Sequence, residues 1–421
     1  MVIGIASRRF SLGALVTFAP FTVMKIGIIK EGKIPADKRV ALTPLQCSQL
    51  MKEFPGVEVY VQKSLVRSYD DEEFADFGLP LVDDVSHCDL LLGIKEVPIQ
   101  HLVEGKKYMF FSHTIKQQPH NQKLMHALLE KKIEMIDYEC LTDIKHNRII
   151  GFGRFAGIVG AYNGLLGYGR KYNLFDLQPA WKCRDLEELE EELERVKLPN
   201  IKILVTGGGR VANGAIEILG ALKIRKVTAY EFLNAHFREP VYCQIHSKDY
   251  NESKSGDNWN DKEFYEYPER YQSTFLPYTS VCDLLITCHF WNPKAPVLFT
   301  KEDMKAENFR ISVIADVTCD INGSVPSTSR SCTIEHPFYG YNPQTEKEDV
   351  AFSKNTITIM AVDNLPCELP RDASEDFGKA LLDRVFPHIL GNDSDRTIKR
   401  ATICKDGKLM KGFWYLNEYA G

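Results

Sequence analysis

The 421-residue sequence has eleven cysteines but no C-x-x-C pair and no spacing that would seat a zinc ion. Positions 47, 88, 140, 183, 243, 282, 288, 319, 332, 367 and 404 scatter through apolar runs, which reads as reduced thiols rather than a disulfide framework or a metal site. No uninterrupted apolar run reaches the roughly 20 residues of a membrane-spanning helix. A basic excess is also missing. The 52 Lys+Arg stand against 57 Asp+Glu, a net charge of −5, which argues against a nucleic-acid or anionic-membrane surface. No internal repeat is visible. What remains is 44% hydrophobic and 26% charged residues, a globular profile with room for two or three domains at ~150 residues each. The expected ligand is a small molecule, and no metal is expected.

Residues 1–23 hold no acid, carry Arg8-Arg9, and continue into a mostly apolar stretch, Phe10 to Val23. They read either as an export or organelle-targeting leader or as a start placed too early. No small-residue cleavage site stands clear of the strand at Lys25, which favours the early start and a cytoplasmic setting. From Lys25 the chain alternates short apolar runs with amphipathic stretches, the pattern of an α/β protein with parallel sheets. Strands are expected at Lys25–Lys30, Val57–Val61, Asp89–Ile94, Tyr108–Phe111 and Glu134–Tyr138. Helices fit Leu45–Phe54, Gln122–Lys131 and Ile158–Lys171. Four glycines in the last, including Gly164 and Gly167, point to close packing. After an acidic helix at Asp185–Val196, a second set of strands is expected at Ile201–Thr206, Lys226–Tyr230, Asp283–Thr287, Ile311–Ala315 and Thr356–Val362. Asn251–Glu269, polar and aromatic-rich, reads as a surface insertion.

The strongest motif is Gly207-Gly208-Gly209-Arg210-Val211-Ala212, a G-x-G-x-x-A between a strand and the helix Ala215–Leu222. Such a turn lets the backbone approach a pyrophosphate at a helix N-terminus. Glu231, 22 residues after Gly209, follows the run Lys226–Tyr230, where a carboxylate would accept from the adenosine ribose. This order predicts an NAD site, with NADP less favoured because Glu231 would repel a 2′-phosphate. A methyltransferase cofactor could also use a Gly-rich turn followed by an acid.

A second constellation lies in the amino-terminal half. One strand leads into Glu31, Lys33 and Arg39; others end in Lys95-Glu96, in His113, and in Glu139. Ligands of open parallel sheets bind outside the carboxyl ends of the strands, so these residues are expected to share one polar crevice. Lys116 extends its cationic rim or lies on the surface. A cationic crevice facing a nicotinamide suits a carboxylate substrate and hydride chemistry at a carbon–nitrogen bond.

At these residues the sequence resembles a known family. GIKEVP (93–98), FFSHTIKQQ (110–118), MIDYECL (135–141) and GFGRFAGIVGA (151–161) resemble lysine-forming saccharopine dehydrogenases and the lysine–2-oxoglutarate reductase half of bifunctional lysine-degradation enzymes. YPERY (267–271), ADVTCDINGSV (315–325), TIEHPFYGYNP (333–343) and VDNLPCELPRDASEDFG (362–378) resemble that reductase more closely. Lys25 to Tyr419 is covered, with wider kinship to alanine dehydrogenase and transhydrogenase. The resemblance implies interconversion of saccharopine with lysine plus 2-oxoglutarate through an imine. It places acid–base roles on Lys95 and His113, substrate carboxylates at Arg39 with Lys33 nearby, and charge-modulating carboxylates at Glu96 and Glu139. Asp363 falls close to both substrate and cofactor, while Asn364 stands where some relatives carry His. Two Rossmann-like domains are implied: a discontinuous substrate domain, 24–165 plus 346–421, and a nucleotide domain, 198–345. The alternatives are an alanine dehydrogenase-like enzyme and a non-catalytic nucleotide-binding regulator. A separate saccharopine-oxidising partner is compatible with this reading, which leaves oligomeric state open.

Overall fold

The computed structural model describes residues 23–421. The leader or early start expected over 1–23 lies, apart from Val23, outside them. Six strands open the described chain: β1 (Met24–Ile28), β2 (Val57–Gln62), β3 (Leu81–Val82), β4 (Leu90–Leu92), β5 (Lys107–Phe110) and β6 (Glu134–Asp137). Ten follow: β7 (Lys202–Thr206), β8 (Arg225–Lys226), β9 (Val241–Ile245), β10 (Asn251–Ser253), β11 (Tyr271–Ser273), β12 (Leu284–Thr287), β13 (Val313–Asp316), β14 (Phe338–Asn342), β15 (Lys347–Asp349) and β16 (Ile357–Met360). The last two are β17 (Thr402–Lys405) and β18 (Lys408–Leu409). The first sheet runs β18-β17-β6-β5-β4-β1-β2-β3 and the second β15-β14-β16-β13-β12-β7-β9-β8. In the first, the six strands from β6 to β3 are parallel, as are those from β16 to β8 in the second. This is an α/β protein with two Rossmann-like, parallel-dominated sheets.

Local sequence explains the elements. Leu90–Leu92 is buried on both faces, as a central parallel strand must be, whereas β2 alternates buried and exposed residues. Thr43 caps the helix Pro44–Glu53: its side chain accepts from the Gln46 amide while the Gln46 side chain accepts from Thr43 N. All eleven cysteines are free thiols, nine of them buried. No helix among the described residues is long and apolar enough to cross a membrane.

The domain boundary expected at residue 346 moves. Strands β15 and β16 complete the second sheet, because Ile357–Met360 is buried on both faces and pairs in parallel with β13. The chain returns to the first domain with the helix Pro370–Arg384, whose Phe377, Leu381 and Leu382 enter the first core, and then with β17, antiparallel to β6. The helix Gly153–Tyr172 likewise packs with the second core, through Ile158, Tyr162 and Leu165, instead of closing the first domain.

That helix crosses the nucleotide-side helix Arg210–Ala221 with backbones nearly touching. A Cβ on Gly157 would sit 1.8 Å from the Val211 carbonyl oxygen, and one on Gly214 2.0 Å from that of Arg154. Arg154 and Glu217 clasp the same crossing with bonds of 2.7–3.0 Å. Glu368 is 1% exposed nearby, its carboxyl accepting from Asn163 at 3.0 Å, and burial pushes it up to about 8. The ordinary carboxyl value is roughly 4.3, so the folded state keeps a proton that the unfolded chain loses between these limits. Stability therefore falls as pH rises through that window. Glu368→Gln should gain little Tm at pH 5 and progressively more toward pH 9. A Tm difference that is flat with pH would show that Glu368 ionises normally.

Candidate functional site

The first domain gathers its charged residues at the carboxyl ends of four neighbouring strands, β1, β4, β5 and β6. Glu31 follows β1 and accepts from the Ile94 and Lys95 amides at 2.6 and 3.0 Å, tying that loop to the end of β4. Glu96 receives Lys33 Nζ at 2.8 Å and His113 Nδ1 at 2.6 Å. Beyond β6, Glu139 faces Lys116 at 3.5 Å and Arg148 at 3.6 Å, and its Oε2 is buried without a partner.

Arg39 is 3% exposed and its fork is already engaged. Nε and Nη2 donate to the two carboxylate oxygens of Asp37 at 3.0 and 2.6 Å, and Nη2 also reaches Asn364 Oδ1 at 3.2 Å. The guanidinium lies 4.0 Å over the Phe152 ring. Of the guanidinium nitrogens, Nη1 is the one left to a substrate carboxylate. Asn364 brings the loop after β16 of the second sheet against this arginine. Asp363 is exposed beside it.

The electrostatics of the crevice centre on Glu96, Lys95 and Glu31. Although burial opposes it, hydrogen bonds from His113 and Lys33 hold the Glu96 carboxyl at about 2. Glu96 is then an acceptor only, so His113 Nδ1 donates to it and Nε2 is the ring nitrogen outside that bond. The His113 ring stacks near Phe111 with centroids 6.2 Å apart, on a backbone in the left-handed region at φ 54°. Lys95 is lowered from the ordinary lysine range by burial and by the neighbouring Arg39 and Lys33 cations. No described side chain pairs with its amine. Burial and Asp37 push Glu31 up to about 8.

The second domain builds a cleft of about 750 Å³ around Gly207–Val211. Gly207 has φ +96°, and a Cβ there would lie 2.7 Å from the Cys288 carbonyl oxygen, so only glycine fits. Gly209 leads into the 12-residue helix Arg210–Ala221 with open space around it. An open cradle at the N-terminus of a full helix fits a dinucleotide pyrophosphate. Arg210 and Val211 line the cleft, Ala212 is buried against the core, and Arg210 Nη2 donates to the Arg148 carbonyl at 3.0 Å.

Glu231 is not in this cleft. The strand expected at Lys226–Tyr230 shrinks to Arg225–Lys226 at the sheet edge, because Thr228 caps a helix, Ala229–Asn234. Glu231 closes that capping box, accepting from Thr228 N at 2.8 Å. The strand beside β7 is instead β9, whose short apolar run Val241-Tyr242-Cys243 is wholly buried. Its carboxyl end delivers His246, Ser247 and Lys248 to the cleft wall. Asp37, two residues before Arg39, and Arg148, beside Glu139, also went unread in the sequence. The insertion also differs from a plain surface loop: β10 and β11 pair antiparallel, and Asp261 and Tyr265 reach the cleft.

Residues 27–159 match the family model for the alanine dehydrogenase/PNT N-terminal domain, and residues 194–412 that for the C-terminal domain. The chain is 28% identical to an alpha-aminoadipic semialdehyde synthase of Arabidopsis thaliana, over 93% of this chain and 41% of that one. It is also 28% identical to the mitochondrial enzyme of that name from Mus musculus, over 91% and 46%. The chain thus spans less than half the length of these curated relatives. A saccharopine dehydrogenase [NAD(+), L-lysine-forming] of Emericella nidulans is 27% identical, over 85% of this chain and 90% of that one. Among solved structures, an L-alanine dehydrogenase superposes with a TM-score of 0.63 at 17% identity, covering 94% of this chain and 100% of that one. The transhydrogenase from Sinorhizobium meliloti gives 0.59 at 15%, covering 92% and 100%. With a match running in order through both halves of the molecule, the chain belongs to the alanine dehydrogenase/PNT family.

Proposed function

We propose that the protein is an oxidoreductase that interconverts saccharopine with L-lysine plus 2-oxoglutarate. The observation that carries this reading is a histidine, His113, bonded through Nδ1 to Glu96 in the same crevice as the buried, depressed amine of Lys95 and its neighbouring cations. Family membership and the saccharopine dehydrogenases among the relatives support a nicotinamide cofactor and a carbon–nitrogen bond as the reacting group. The substrates carry several carboxylates, and Lys33, Lys116, Arg148 and Arg39 Nη1 supply matching positive charge. In the lysine-consuming direction the ε-amine attacks the ketone, water leaves, and an imine forms. His113 Nε2 takes a proton from the incoming ammonium, and Lys95 returns one to the departing oxygen. A reduced nicotinamide, when bound, would supply the hydride that turns the protonated imine into a secondary amine.

The end of β9, where the ribose is expected, carries His246, Ser247 and Lys248, and Lys248 offers a cation to a 2′-phosphate; Asp261 is the carboxylate lining the same cleft. The NAD preference expected from Glu231 therefore loses its basis, and we propose NADPH as a cofactor at least as good as NADH. The deciding assay follows nicotinamide absorbance with lysine plus 2-oxoglutarate and, separately, pyruvate plus ammonia, each with both reduced cofactors. Oxidation with the first pair, and with NADPH at least as fast as with NADH, is the expected result. Oxidation with the second pair alone would make the protein an alanine dehydrogenase-like enzyme. Cofactor binding without turnover would make it a regulator.

Arg39 gives a further prediction. Arg39→Ala should raise KM for a carboxylate substrate and also lower Tm, because it strands buried Asp37 without its partner. The double variant Asp37→Ala/Arg39→Ala should recover Tm but not KM. Recovery of both would mean that Arg39 only holds the loop together.

A further inference from the structure

The aromatic-rich segment between β9 and β12 is a self-packed flap. Phe264 and Tyr271 are buried, with Trp259 packed on both at ring-centroid distances of 4.8 and 5.2 Å. Trp259 Nε1 donates to Asp261 Oδ1 at 2.9 Å. The flap is fixed to the sheet: Thr274 N donates to the Tyr250 carbonyl at 2.9 Å, and the Tyr250 ring packs edge-on against Phe275 and His289 at 5.9 and 6.0 Å.

This small core leaves Tyr265 outside. It follows Phe264 in the helix Asp261–Glu266, is 56% exposed, and lines the nucleotide cleft. Phe290, just beyond β12, lines the same cleft and is 75% exposed. Two large, exposed aromatic side chains lining one cavity are costly to leave in water and suited to a flat partner. A pyrophosphate at Gly207–Gly209 and a ribose at His246–Lys248 would carry the base outward past β9, toward the flap.

We propose that Tyr265 and Phe290 clamp the adenine ring of the cofactor, so that Asn251–Glu269 is an adenosine-binding flap. This inference rests on the nucleotide reading given above. The test is calorimetric titration of the full chain with NADH, NADPH and ADP-ribose, the last keeping the adenine but not the nicotinamide. Tyr265→Ala and Phe290→Ala should each raise Kd by roughly 5- to 100-fold, by the same factor for ADP-ribose as for the dinucleotides. Tyr265→Phe should bind as the unaltered protein does, because the ring and not the hydroxyl does the stacking. Unchanged Kd in both alanine variants would overturn the clamp, and so would equal losses in Tyr265→Phe and Tyr265→Ala with Tm preserved. If the unaltered protein binds none of the three ligands, the nucleotide reading falls and the clamp with it.

Discussion

Replacing His113 with Gln should lower kcat and kcat/KM together by roughly 10²-fold or more, the loss expected when a general acid–base is removed. The glutamine amide can still donate to Glu96, so the local structure survives while the imidazole is lost. Lys95→Met should cost as much and should also delete one limb of the pH–rate profile. That limb belongs below the ordinary lysine range, since burial, Arg39 and Lys33 all disfavour the ammonium. Steady-state kinetics across pH for the two variants is the measurement. A His113→Gln enzyme with near-normal kcat would remove the histidine from the chemistry. An unaltered profile in Lys95→Met would reduce the lysine to a binding charge. Dinucleotide affinity should survive both changes, because the cradle at Gly207–Gly209 lies in the other sheet.

The largest effect on stability is expected at the helix crossing. Gly157→Ala puts a methyl group where the Val211 carbonyl oxygen already stands, against main chain that cannot rotate away. Separation of the two helices would open the second core at Ile158, Ala215 and Ile218. A cost of roughly 3 kcal/mol or more is expected, seen as a large fall in Tm or in folded yield. Gly220→Ala is the internal control: it lies in the partner helix with nothing within 4 Å of its added Cβ. There the change should stabilise, by roughly 0.5–1 kcal/mol, because alanine loses less backbone entropy than glycine. Thermal melts that rose for both variants would show that helix propensity, not contact, governs these positions.

The first sheet and its crevice were legible because each strand ends in a charged residue directly after an apolar run, a local signal. The Gly-rich turn was legible for the same reason. Glu231 misled because distance along the chain stood in for position in the sheet. Thr228 is a strong helix cap, so the run after it coils instead of extending, and the true neighbour strand comes fifteen residues later. Asp37 was hidden by burial, since nothing local separates a carboxylate that clasps Arg39 from one in solvent. The placement of β16 was decided by tertiary pairing with β13, and the pairing of a short apolar run cannot be read from its own residues.

The late return of the chain to its first sheet bears on how the protein emerges from the ribosome. Until residues 402–405 are made, the backbone of β6 has no neighbour on its outer side. The entire second domain is synthesised during that interval and is free to fold first. A nascent chain stalled before β17 would carry a bare sheet edge at Glu134–Asp137, a template for pairing with another such chain. The cover for that edge is thus supplied by residues 402–405, far in sequence from the strand they protect.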